Sequence, residues 1–188
     1  MTLKACKSDP VYDAPRVAKL LGLQFSEDEL EGPGLPPPAL EGFVTFVDPG
    51  WSIVRLREAV TGKGQIFNAQ SWYNTQEDFA KLEEQPRYRQ LRMEAVTDSF
   101  DKTFANQQKL LLPDEEVPLG RVVIMGMVLH FISTGERLFP TSYVRCKDKD
   151  SDGYRVYVGD FDDAGLHVHS GWVGHPSSFI GLAGVRKF

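Results

Sequence analysis

The spacing of hydrophobic positions changes along this chain, and each change marks a region. In DAPRVAKLLG, residues 13–22, Val17, Leu20 and Leu21 fall on one helical face. Asp13 suits the N-cap, Pro15 the first turn and Gly22 the stop. The next stretch, QFSEDELEGPGLPPPALEG, is acidic and then rich in Pro and Gly. Pro36, Pro37 and Pro38 favour an extended polyproline II path and cannot enter a central strand. Residues 1–40 therefore read as an arm plus linker wrapped over the body, with a docking peptide for a proline-binding partner as the alternative. The compact part, residues 41–188, reads as a single α+β domain.

Phe43–Val47 is a β-rich run ending at an Asp48-Pro49-Gly50 turn. Trp51–Leu56 continues as a hairpin strand or, through Arg55–Val60, as a helix. IFNAQSWY, residues 66–73, reads as a strand. Thr75 and Asp78 form a weak capping box, and Pro86 restarts a second helix. Over residues 87–111, Met93, Val96, Phe100, Phe104 and Leu111 recur at helical spacing, which predicts a long amphipathic helix stopped by Pro113. PLGRVVIMGMVLHFIST, residues 118–134, is apolar nearly all round and predicts a buried central helix between Pro118 and Gly135. Beyond Arg137 the period falls to two. Tyr143–Cys146, Tyr154–Val158, Leu166–His169 and Phe179–Val185 read as an antiparallel meander, with turns at Asp152-Gly153 and Ala164-Gly165. Helices beside a run of strands argue for α+β with a mostly antiparallel sheet.

Composition narrows this picture more than it adds to it. The 188 residues are 41% hydrophobic and 25% charged, an ordinary globular balance. A formal charge of -5 gives no global attraction to nucleic acid or anionic lipid. The apolar run Val122–Leu129, even extended by Phe131 and Ile132, is well short of the ~18 residues of a membrane span. No signal-like stretch precedes it, and the only cysteines, Cys6 and Cys146, are too few for a disulfide scaffold. A cytoplasmic protein with free thiols is the expectation, Cys146 being a small buried apolar residue.

Candidate chemistry is sparse. Thr61-Gly62-Lys63-Gly64 fails as a phosphate loop, because Arg57 stands at the first glycine and Gly64 at the magnesium-binding hydroxyl. Asp148, Asp150 and Asp152, followed by Gly153, alternate as in an EF-hand loop, yet Gly159 occupies the place of the closing Glu. Asp160, Asp162 and Asp163 could add ligands from the next turn. His167 and His169 share one strand face and His175 follows, a set of the kind that holds zinc. These clusters offer weak calcium or zinc binding at most, and no cofactor motif is complete. His130 reads as a core histidine bonded to the backbone. Arg87, Tyr88, Arg89 and Arg92, beside Trp72 and Tyr73, form a possible interaction surface, as does Trp172. Glu77, Asp78, Glu83, Glu84 and Glu94 flank the arginines, which favours an ion-paired face over nucleic-acid binding.

The C-terminal segments GERLFPTSYVRC, GYRVYVGDFDDAGLHV and IGLAGVRKF resemble the C-terminal part of an uncharacterised group of bacterial, largely environmental, proteins. The shared positions are mostly turn glycines, strand aromatics and aspartates. They imply a β-meander in a bacterial cytosolic protein and carry over no catalytic residue. The reading that follows is a small binding or regulatory protein whose partner is a protein or small molecule. A metal-dependent enzyme using His167, His169 and His175, or a calcium module using Asp148, Asp150 and Asp152, is the alternative.

Overall fold

A computed structural model describes residues 11–23, 34–70 and 72–188. One sheet takes β1 (Val11–Tyr12), β2 (Phe43–Asp48), β3 (Arg87–Arg92), β4 (Glu115–Glu116) and β9 (Val185–Arg186), in the order β1-β2-β3-β9-β4. It is antiparallel except where β1 runs beside β2. The other takes β5 (Tyr143–Lys149), β6 (Arg155–Asp162), β7 (Gly165–Gly171) and β8 (Ile180–Leu182), in the order β7-β6-β5-β8. The helices are α1 (Ala14–Leu21), α2 (Ile53–Ala59), α3 (Trp72–Gln76), α4 (Asp78–Lys81), α5 (Phe104–Gln108) and α6 (Gly120–Thr134). The fold is α+β with mostly antiparallel sheets, as the pattern of elements implies.

Helix α6 is the centre of the core. Every residue from Gly120 to His130 is buried, so no side of this stretch faces water. The two sheets cover different sides of it. At Gly126 a Cβ would come within 2.7 Å of Leu91 Cδ2 and 3.1 Å of Phe46 Cε1, so β2 and β3 approach the helix backbone directly. At Gly120 the nearest side chains are Asp148, Val156 and Val158, from β5 and β6. Helix α1 closes a further side. Its Asp13 cap accepts from Arg16 N at 3.0 Å, Gly22 ends it at φ 74, and Ala14, Val17 and Leu21 are buried.

Several expected elements differ. Residues 87–111 form no long helix, because residues 87–92 pair with all six residues of β2. That ladder outweighs a helical spacing carried by a handful of positions. Beyond it, Asp98 and Asp101 adopt positive φ of 59° and 54°, a left-handed conformation that Asp tolerates and a helix does not. Only Phe104–Gln108 is helical there. In 66–73 the expected strand reduces to one parallel bridge between Phe67 and Leu166. The expected fourth meander strand splits: β8 runs parallel to β5, and β9 joins the first sheet. The expected N-terminal arm is also corrected in part. Tyr12, Val17 and Leu21 belong to the main core, and β1 extends its sheet. The acidic run 24–33 and Cys6 lie outside the described residues.

A buried ionic network sits where α6 begins. Asp48, fully buried at the end of β2, accepts from Gly50 N at 2.9 Å and from both Arg121 Nη1 at 2.9–3.0 Å and Arg89 Nε at 3.4 Å. Glu84 accepts from Arg89 Nη2 at 2.8 Å and Arg87 Nη2 at 3.0 Å, and also from Arg121 Nη2. Gly50 is required here. At φ 79 any Cβ would lie 1.8 Å from the Glu84 carbonyl oxygen, and Glu84 N donates to Gly50 O at 2.8 Å. Burial raises the Glu84 carboxyl, but the Arg121 and Arg87 guanidiniums outweigh it and hold the group below its ordinary value. Burial lowers Arg89, opposed by Asp48.

Two outcomes follow from this packing. A chain beginning at Glu41 loses Tyr12, Val17 and Leu21 from the core, each worth roughly 2–5 kcal/mol when truncated to a small side chain. It should fail to show a cooperative melting transition, and a melting temperature equal to that of the full chain would refute the placement of α1. A carboxyl with a depressed folded pKa stabilises above its unfolded value and loses that contribution as pH falls. Stability should therefore decline on acidification below about 4.5, the ordinary value for Glu84, and Glu84→Gln should flatten that decline in urea denaturation across pH.

Candidate functional site

The residues singled out by the sequence are dispersed by the fold. Asp148 lies on the inner face of β5 and is buried. Its carboxylate accepts from Gly120 N, capping α6, whose own N-cap residue Leu119 has no side chain able to do so. Burial raises the Asp148 carboxyl, with the Gly120 N–H pulling the other way. Asp150 instead closes its own turn, accepting from Asp152 N at 3.1 Å and Tyr154 N at 2.8 Å. The tip is tied down by buried Glu77, which accepts from Ser151 N at 2.8 Å and Ser151 Oγ at 2.9 Å.

His167 and His169 do share a face of β7, with rings stacked at 5.9 Å. His167 Nε2 meets Asn68 Nδ2 at 3.0 Å, and His169 packs among Tyr143 and Tyr157. Burial, then the neighbouring His167, lowers the His169 pKa. His175 stands apart: its side chain is exposed, and its carbonyl accepts from Arg145 Nη2 at 2.8 Å. Among the described residues, no group of three or more His, Cys, Asp or Glu is placed to hold a metal ion. Cys146 is fully buried and its thiol is pushed up by burial, conditions that oppose a thiolate nucleophile.

The arginine cluster is divided as well. Arg87 and Arg89 join the ionic network, whereas Arg92 Nε donates to Glu115 at 2.6 Å and stacks over Phe43. Tyr88, Arg87 and Arg89 line a cleft of about 510 Å³ together with Arg186 and Lys187. Trp172 is exposed, edge-on to Tyr154.

A larger cleft, about 700 Å³, adjoins the first through the shared residues Glu116 and Lys187. Strand pleating builds it. Along β5 the side chains alternate, sending Cys146 and Asp148 inward and leaving Lys147 and Lys149 exposed. Arg155 sits opposite Lys149 in the β5–β6 ladder. Its guanidinium lies 4.2 Å from the Phe104 ring centroid and donates to the Lys147 carbonyl, so the charge is held in place. Lys187 Nζ is anchored by Pro113 O at 2.9 Å. Phe104, Leu111 and Val117 supply an apolar floor. Against these cations stand Glu116 and Glu115, and the Glu115 charge is already met by Arg92. Neither Lys147 nor Lys149 has an ion-pair partner among the described residues. The cleft therefore carries a cationic surplus beside apolar surface, fitted to a ligand with several negative charges.

The sequence reading passed over Lys147, Lys149, Arg155 and Lys187. The signal was present as Lys and Asp in strict alternation over residues 147–150, a pattern that on a strand sends the two charge signs to opposite faces. No known family model matches the chain, and neither a curated protein nor a solved structure is significantly similar to it. Among the described residues, no helix is long and apolar enough to cross a membrane.

Asp148 caps helix α6. Asp148→Ala should cost about 1–3 kcal/mol in chemical denaturation, through an orphaned buried N–H and a lost cap. A stability change below about 0.5 kcal/mol, accompanied by loss of a measurable calcium affinity, would reverse that assignment.

Proposed function

We propose that this protein is a non-catalytic binding or regulatory protein of the cytoplasm, and that its partner is a protein presenting a carboxylate-rich segment to the β4–β5–β6 cleft. The observation that carries this reading is the set Lys147, Lys149, Arg155 and Lys187 around the apolar floor of Phe104, Leu111 and Val117. Acidic side chains pair with the rim, and apolar side chains of the same segment settle on the floor. A nucleic acid is supported less well. Arg155 already covers the Phe104 ring, the one aromatic among the described residues that line the cleft, and the chain as a whole carries a formal charge of -5, which repels a long polyanion.

The alternative, a metal-dependent enzyme or calcium module, rests on His167, His169, His175 and on Asp148, Asp150, Asp152. The inward placement of Asp148 and the separation of His175 lend it little support.

Fluorescence anisotropy with a labelled peptide alternating Glu and Leu tests the proposal. Binding should weaken steeply with salt. Lys147→Glu combined with Lys149→Glu, both exposed changes, should weaken it at least about tenfold, roughly 1.4 kcal/mol, with the melting temperature retained. Equal affinity of the double variant and the parent chain would refute the assignment of the cleft. Tighter binding to single-stranded DNA than to the peptide would refute the class of partner.

A further inference from the structure

The proline run between α1 and β2 has no part in the cationic cleft, and its own chemistry restricts it strongly. Leu35, Pro36 and Pro37 each precede a proline, which steers all three away from the α conformation. The ring of each proline also fixes its own φ. Residues 35–38 are thereby directed onto an extended polyproline II path, and over 36–40 the chain is neither helix nor strand.

Polyproline II turns once in three residues, so side chains three apart share an edge. Burial follows that period. Pro37 and Leu40 are half-buried, whereas Leu35 and Pro38 on the second edge, and Pro36 and Ala39 on the third, are exposed. The segment is anchored along its inner side. Pro37 shares the lining of the 510 Å³ cleft with Tyr88. Pro38 O accepts from Gln90 Nε2 at 2.7 Å, and Leu40 O accepts from Phe43 N at 3.1 Å. Leu35 reaches the mouth of the same cleft yet is 93% exposed. The chain thus holds two edges of a stiff segment out to solvent, already in the shape a partner would have to impose, so little ordering cost remains for binding. Pro36, Pro37 and Pro38 have no N–H to give to a sheet, and what they offer is carbonyl acceptors and ring faces.

We infer that residues 35–39 are a preformed docking motif for a partner protein with an aromatic-lined groove. Aromatic rings of such a groove pack against the proline rings and Leu35, and Trp N–H or Tyr O–H groups donate to the carbonyls between them. Charge narrows the partner further. Between Lys19 and Arg55 the sequence has no Lys, Arg or His, while Glu27, Asp28, Glu29, Glu31 and Glu41 flank the prolines. A groove with a basic rim complements these flanks, and an acidic rim is repelled.

Purified WW, SH3 and EVH1 domains serve as probes, because each reads proline-rich segments through an aromatic groove. Each isotope-labelled domain is titrated with the full chain and followed by its NMR chemical shifts. At least one should bind with a dissociation constant of about 100 µM or tighter, with shifts centred on its groove, and should bind more weakly as salt rises. Leu35→Ala combined with Pro38→Ala changes one exposed edge and should weaken binding at least about tenfold, with the melting temperature retained. Should that variant fail to fold, Pro36→Ala on the other exposed edge decides in its place. No saturable binding by any of the three domains, shifts away from the groove, or equal affinity of variant and parent chain would each overturn the inference. Self-association of the chain, removed by the same variant, would put a second copy in the partner's place and overturn it as well.

Discussion

Helix α6 has no polar side over its first three turns, so protein must cover it in every direction. One sheet cannot do this. The chain meets the demand with β2 and β3 on one side, β5 and β6 on another, and α1 on a third. Close approach is possible because the helix carries Gly126 where Leu91 and Phe46 press in and Gly120 where Val156 and Val158 do. A methyl group at Gly126 would displace the Leu91 side chain or the helix itself.

The same burial creates an electrostatic constraint. Arg121 sits in the first turn of α6 and is 2% exposed, so its charge must be met inside the protein. Asp48 and Glu84 meet it, and Arg89 bridges the two carboxylates from β3. Because Asp48 ends β2 and Glu84 is carried by the Gly50 contact, the network ties the helix start to one end of the first sheet. Asp148 does the corresponding work from the second sheet by accepting from Gly120 N. Two acidic residues on different sheets thus locate one helix end.

The β5 strand shows how this internal requirement shapes the outer surface. Alternation that turns Asp148 toward the helix turns Lys147 and Lys149 outward on the opposite face, where Arg155 joins them from β6. The cationic cleft is in this sense the other side of a helix cap.

Local pattern was sufficient for α1, with its Asp13 and Gly22 boundaries, for α6, and for the strands β2, β5, β6 and β7. Each is a long or well-capped run in which period, cap and turn residues agree. It was misleading for residues 87–111, where the expected long helix gives way to a strand over 87–92, two left-handed Asp residues and a five-residue helix. Six ladder partners in β2 decide that segment, and they are contributed some 40 positions away in sequence. The N-terminal segment reads as an arm for the same reason, since β1 exists only because β2 is beside it. At the candidate sites, residue types were visible but their grouping was not. Asp148, Asp150 and Asp152 read as one cluster, yet β5 ends at Lys149, so Asp148 faces the start of α6 while Asp150 closes the turn beyond the strand; Arg155 meets Lys147 through strand pairing, and Lys187 through the return of the C-terminus. Sequence by itself determined the elements whose period and caps are self-consistent. The tertiary structure alone decided which faces those elements turn toward each other, because side-chain direction depends on partners that the local sequence does not contain.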